Sequence, residues 1–244
     1  MMKVLITGIS GRMGQAVRQA VESNPNTVIG STHDVGEDIE GALECADVAI
    51  DFSFHGFTPE LLKAAIEQNK PLIIGTTGHT DEERKAIFDA ATKIPVVFAS
   101  NYSVGVNTLF WLTRKATRIL KDFDIEIVEM HHHHKLDAPS GTARTLAEVV
   151  CEETGMDYDK DVVHGRFGNV GARPQRQIGM HTLRGGDVVG DHTVIYAIDG
   201  ERVELAHKAS NRGTFAGGAV RAALWIADKP AGLYSMQDVL GLTD

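Results

Sequence analysis

The sequence predicts an α/β protein built in two parts, a doubly wound parallel-sheet domain and a mixed α+β domain. Short β-branched or apolar runs alternate with helix-length amphipathic segments over the first hundred residues. A glycine cluster, Gly8, Gly11 and Gly14, stands directly behind the first of those runs. From about Ser103 the alternation gives way to one long helical pattern, an alternating strand and a hairpin.

Taken in order, the apolar runs fall at Lys3–Thr7, Thr27–Ser31, Asp47–Phe52, Pro71–Gly75 and Pro95–Ala99. Parallel neighbours need crossover connections, which the intervening helices supply. Thr58-Pro59 places a capping hydroxyl before a proline at the first helical position of "ELLKAAIEQ". Thr80 and Glu83 have the spacing of a capping box. A helix is expected from Val106 to Leu120, with Leu109, Leu112, Ala116 and Ile119 on one face. "FDIEIVEMHH" then alternates as a strand, and Ser140 is placed to cap a helix over "GTARTLAEVV". Val162 to Lys208 reads as antiparallel sheet, clearest in "HTVIYAIDGERVELAHK" with Asp199-Gly200 at the turn. "TFAGGAVRAALWIAD" closes as a helix that packs back on the first domain. The expected domains are therefore residues 1–102 with 213–244, and residues 103–212.

Composition narrows the function. At 244 residues and 43% hydrophobic, the chain can bury a proper core. No apolar run approaches the ~20 residues that span a bilayer, so no membrane role is expected. A net charge of -9 leaves no basic surplus for phosphates, so nucleic acid is not an expected partner. The opening "MMKVLITGIS" runs straight into a strand without the pattern of a signal peptide. Cys45 and Cys151 form neither a CxxC pair nor a disulfide framework. A reduced, cytoplasmic setting follows as the expectation.

"VLITGISGRMGQAV" has GxxGxxG spacing, with Ser10 where the usual dinucleotide fingerprint has its second glycine. Its physical requirements are still met: a tight turn, close approach of backbone to a pyrophosphate, and a helix start whose free N–H groups favour anions. "VIGSTHDV" adds Asp34, about 20 positions beyond Gly14, suited to the adenosine ribose hydroxyls. Arg12 can meet a 2′-phosphate, so NADP stays open beside NAD. "IDFSFHG", "IIGTTGHT" and "FASNYSVG" follow strands at the ends where an open α/β sheet binds ligands. Among these loops, Gly75, Thr76 and Thr77 offer backbone and hydroxyl groups to a nicotinamide ribose or carboxamide.

The second candidate site is "EMHHHHKLDAPSGT", residues 129–142. An internal run inside a strand-to-helix pattern does not fit a purification tag. Neighbouring histidines on a strand point to opposite faces, and the i,i+4 spacing of helical metal ligands is absent, so no metal is assigned. His133 and His134 are expected to be solvated. A histidine exchanges protons near neutral pH, and Lys135 adds a cation close by. Asp137-Ala138-Pro139 turns the chain and Ser140-Gly141-Thr142 opens a helix whose N–H groups can hold a carboxylate. Proton donors beside an anion cradle suit a small acidic substrate next to a hydride donor.

Nearly the whole chain resembles the 4-hydroxy-tetrahydrodipicolinate reductase (dihydrodipicolinate reductase) family. The resemblance lies in "GISGRMG", "IDFS", "IGTTG", "SNYSVGVN", "EMHHHHKLDAPSGTA", "LRGGDVVGDH" and "HKASNRGTFAGGAVRAALW". It implies a Rossmann-like domain, a mixed α/β domain that binds substrate and builds a homotetramer, and hydride transfer from NADH or NADPH to a cyclic dicarboxylate with loss of water. It implies His131 as proton donor or acceptor and Lys135 as a second proton donor. His132, Ser140, Gly141 and Thr142 are then the carboxylate contacts. Gly8, Ile9, Ser10, Gly11, Arg12, Met13, Asp34, Gly75, Thr76, Thr77, Ala99, Ser100, Asn101 and Tyr102 are the cofactor contacts. Many members carry an arginine after the acidic residue of the second strand; here Val35 stands there, which implies NADH used at least as well as NADPH. Two other readings are a different two-domain amino-acid dehydrogenase, against which "HHHHKLDAPSGT" speaks, and a dinucleotide-binding sensor without turnover.

Overall fold

The computed structural model describes residues 1–242. The first half winds as β1 (Met2–Thr7), α1 (Arg12–Ser23), β2 (Thr27–His33), α2 (Ile39–Glu44), β3 (Val48–Asp51), α3 (Thr58–Glu67), β4 (Leu72–Ile74), α4 (Asp81–Ala91) and β5 (Pro95–Phe98). Then come α5 (Val104–Ile119), β6 (Asp124–His131), α6 (Gly141–Thr154), α7 (Tyr158–Asp161), β7 (Val162–His164), β8 (Ile178–Arg184), β9 (Gly190–Ile198) and β10 (Glu201–Ala209). The chain ends with α8 (Gly213–Ile226), β11 (Gly232–Tyr234) and α9 (Met236–Leu240). Two compact units result, Met1–Val104 with Arg212–Asp244, and Gly105–Asn211.

The first unit is a six-stranded sheet in the order β2-β1-β3-β4-β5-β11, with every pair parallel. Its central strands are buried on both faces, which is why they read as unbroken apolar runs rather than alternating ones. Val4, Ile6 and Ile50 pack with Val17, Val21, Ala219 and Ala223 on one face. Leu5, Ala49 and Leu72 pack with Leu43, Leu61 and Ile87 on the other. Winding changes direction at β1, whose neighbours are β2 and β3, so the carboxyl ends of β1 and β3 mark the switch point where such sheets bind ligands. The capping box at Thr80 and Glu83 is present. The capping hydroxyl expected of Thr58 is not: Thr58 is the first residue inside α3, and its Oγ1 lies 2.8 Å from Nε2 of His79 instead.

The second unit is a mixed sheet in the order β10-β9-β6-β8-β7. The stretch Val162–Lys208 is therefore only partly antiparallel. β9 and β10 form the hairpin, with Gly200 at φ +94, but β8 runs parallel to both β6 and β7. Between β7 and β8 the chain forms no strand; Arg166 and Arg173 instead tie it to the outward carboxylate of Glu126. On β6 the alternation puts Ile125, Ile127, Glu129 and His131 inward. Leu109, Ala143, Leu146 and Val150 cover the apolar part of that face. The buried stripe of α5 differs from the expected one: Leu112 and Ile119 are exposed, while Thr113 and Thr117 are buried with Leu109. Tyr196 of β9 explains this, because its buried hydroxyl bonds the Thr117 hydroxyl at 2.7 Å and donates to the Thr113 carbonyl at 3.1 Å.

Candidate active site

In the first unit the glycine turn joins β1 to α1 at the switch point. Gly8 sits at φ +64 with its α-carbon against the backbone of Ser53, where a Cβ would come within 2.9 Å of the Ser53 Cα. A Cβ on Gly14 would strike the carbonyl of Gly8, so the turn closes only with hydrogen at both positions. Gly11 is the N-cap of α1 and offers no side-chain cap, so no side chain of the cap occupies the first-turn N–H groups. Asp34, just past β2, accepts from the Ser10 and Val35 N–H groups, each at 2.9 Å. The Ser10 hydroxyl first, and then those N–H groups, hold its carboxyl below the usual range. Asp34 and residues 8–13 are thus one assembly, while Val35 is almost fully exposed beside it.

The other predicted loops divide into an inner and an outer layer. Gly75 donates its N–H to the Asp51 carbonyl, and Thr76 donates its hydroxyl to the Asp51 carboxylate at 2.6 Å. Tyr102 is buried, its hydroxyl lying 3.0 and 2.9 Å from the carbonyls of Ile74 and Val97, and burial drives its pKa well up. Gly75, Thr76 and Tyr102 therefore hold the loops in place, while Thr77 and Ser100 face outward. At the centre of this layer stands a residue to which the sequence motifs assign no role. Asp51, wholly buried at the carboxyl end of β3, also accepts from the hydroxyls of Thr7 and Ser53, joining the ends of β1, β3 and β4. Its signal was there, a carboxylate closing an otherwise apolar strand.

In the second unit the strand stops at His131, so the two-face geometry expected of the histidine run applies only to its first member. His132 donates its N–H to the Val188 carbonyl at 2.7 Å, and the chain then turns, with Lys135 N–H on the His132 carbonyl. His133 Nδ1 lies 2.9 Å from the Gly186 carbonyl; His133 and His134 are exposed. Lys135 pairs with Asp137 at 2.8 Å. Among the described residues, no His, Cys, Asp or Glu side chains converge as metal ligands do.

His131 belongs to a buried polar cluster. Its Nδ1 lies 2.6 Å from the Glu129 carboxylate, and its ring meets that of His192 edge-on at 5.2 Å. Glu129 also takes both arms of Arg184, at 2.9 and 3.0 Å, and the N–H of Ser140 at 3.0 Å. Burial opposes ionisation of Glu129, but the bonds from His131, Arg184 and Ser140 outweigh it and hold the pKa at about 2. Arg184 adds a bond to the Asp137 carbonyl, tying down the turn before α6. Ser140 caps that helix by accepting from the Ala143 N–H, while Gly141 and Thr142 form its first turn. The structure thus links His131 and Ser140 through a residue the motif reading left without a role. Glu129, Arg184 and His192 come from three different strands, and no sequence spacing joins them.

The family models and the curated relatives agree on one family. Models described as "Dihydrodipicolinate reductase, N-terminus" and "Dihydrodipicolinate reductase, C-terminus" match residues 2–102 and 105–240. A 4-hydroxy-tetrahydrodipicolinate reductase of Akkermansia muciniphila is 65% identical, with 100% of this chain and 99% of the relative aligned. One of Chromobacterium violaceum is 46% identical over 98% of each. Among solved structures, a dipicolinate-bound dihydrodipicolinate reductase from Paenisporosarcina sp. TG-14 shares the fold at a TM-score of 0.81, with 24% identity and 98% of each chain covered.

Proposed function

The chain belongs to the dihydrodipicolinate reductase family, and from that premise we propose how its own residues divide the reaction. It is an NAD(P)H-dependent oxidoreductase that reduces 4-hydroxy-tetrahydrodipicolinate to tetrahydrodipicolinate in lysine and diaminopimelate biosynthesis. Neither the other dehydrogenase reading nor the sensor reading is favoured once both halves match.

Residues 1–102 with 213–244 hold the dinucleotide. The cramped glycine turn, the uncapped start of α1 and the anchored Asp34 fit its pyrophosphate and ribose. Gly8 to Met13, Asp34, Gly75 to Thr77 and Ala99 to Tyr102 form the cradle. Gly75, Thr76 and Tyr102 act by fixing the loops rather than by offering their own polar groups. When bound, the nicotinamide supplies hydride. Exposed Val35 stands where many members of the family carry an arginine, which supports NADH being used at least as well as NADPH, while Arg12 keeps NADPH open.

Residues 103–212 hold the small dicarboxylate. The reaction takes up one hydride and one proton and releases the substrate hydroxyl as water. His131 and Lys135 supply and manage that proton; His132, Ser140, Gly141 and Thr142 receive the carboxylates at the start of α6. The Ser140 N–H and hydroxyl are committed within the protein, so Ser140 acts there by holding the start of α6. The carrying observation is that one buried carboxylate bonds both the His131 ring and the Ser140 N–H at the start of α6. Two free cysteines, one of them exposed, support a cytoplasmic setting, and the exposed edge strand β10 supports self-association into a homotetramer. No helix among the described residues is long and apolar enough to cross a membrane. The test is oxidation of NADH and NADPH with substrate generated in situ by a coupled synthesis; no oxidation with either cofactor would overturn the reading.

A further inference from the structure

Glu129 has no exposed surface, yet it carries a charge. A carboxylate removed from water keeps its charge only where donors replace the lost hydration. Here four do so, two on each oxygen. Oε2 faces His131 Nδ1 and Arg184 Nη1; Oε1 faces Ser140 N–H and Arg184 Nη2. Both oxygens are thereby fixed in position, and so are the groups that bond to them.

An ionised carboxylate only accepts. The proton in the His131–Glu129 bond therefore sits on Nδ1, and Nε2 is left as the nitrogen that gains or gives a proton. The same carboxylate holds the backbone of Ser140, the N-cap of α6. We propose that Glu129 is the positioning residue of this site, holding His131 in the Nδ1–H tautomer and, through the Ser140 N–H, fixing the distance from that ring to the anion-binding start of α6. Arg184 completes the device by holding Glu129 from the opposite side and the Asp137 carbonyl beyond it. The proposal rests on His131 being the proton residue.

Two measurements test it. In the ¹⁵N spectrum of the imidazoles of the wild-type enzyme, above the histidine titration range, His131 (assigned by its loss in His131→Gln) should show a protonated Nδ1 and a bare Nε2. The opposite tautomer overturns the proposal without any change at Glu129. In Glu129→Gln, one acceptor and one amide donor replace two acceptors, so at least one of the four bonds is lost. The variant should show a mixed or reversed His131 tautomer, a kcat lower by about 10- to 100-fold, a raised substrate KM and an unaltered NADH affinity. A wild-type tautomer with unchanged kcat would overturn the positioning role. If His131→Gln itself retained wild-type kcat, the assignment of His131 would fail instead; loss in His131→Gln with none in Glu129→Gln would sink the positioning role alone.

Discussion

The hydroxyl of Ser140 lies 2.9 Å from Nε2 of His192, and both side chains are buried. Burial, and then the neighbouring His131, pull the His192 pKa down to about 3, so this ring is neutral at physiological pH. The Ser140 oxygen also accepts from the Ala143 N–H, so one hydroxyl bonds both the first turn of α6 and the His192 ring. Ser140 thus joins the cap of α6 to β9.

Replacing Ser140 with alanine removes the cap and orphans the His192 nitrogen in one step. A loss of about 1–2 kcal/mol is expected in urea denaturation, in line with other helix N-caps. The substrate KM should rise, because the first turn of α6 loses its anchor. Stability equal to wild type would mean that Ser140 contributes no cap.

The buried, neutral His192 also sets a pH dependence. An unfolded histidine takes up a proton as pH falls through about 6.5, while the folded one resists until about 3. Between those values the unfolded state holds more protons, so stability falls on acidification, by at most ~1.4 kcal/mol per pH unit from this group. His192→Gln should lessen the slope of stability against pH between 6.5 and 5 in urea titrations. An unaltered slope would show that His192 titrates the same way in both states.

His131→Gln and Lys135→Met should each lower kcat by ~10²–10⁴-fold, the range for a lost general acid. NADH affinity, read by fluorescence titration, should be unchanged, because both residues belong to the second unit. A large loss of cofactor affinity would place them in the dinucleotide site.

Val35→Arg puts a guanidinium beside Asp34, at an exposed position with room for it. The kcat/KM ratio should shift towards NADPH by on the order of tenfold, as one charge-assisted phosphate contact allows. An unmoved ratio would show that Arg12 or another group already governs the choice.

The parallel sheet was legible because its strands carry the apolar runs of a two-face core, and its glycine turn because such a turn needs that residue type in that place. The strand ending in His131 and the helix starting at Ser140 were legible for similar local reasons. What binds them together was not. Glu129, two residues from His131, shares its buried face because β6 buries every second side chain, but a glutamate in a strand carries no local mark of the partners that would let it be buried. Arg184 and His192 reach it by strand pairing across long stretches of chain, which no local spacing records. Leu112 and Ile119 misled for the converse reason: a helical stripe was read from apolar residues alone, whereas Tyr196 required threonines on the buried face.

The sheet of the first unit takes its sixth strand from residues 232–234, and one of its two faces is covered by Ala219, Ala223 and Ile226 of α8. During synthesis, the second unit is therefore complete before the first can be. A nascent chain that has passed Asn211 still presents an open β5 edge and an apolar face covered only in part, by α1, and stays in that state until the last thirty or so residues arrive. A shortened chain ending before α8 should accumulate as aggregate rather than as a smaller dinucleotide-binding protein.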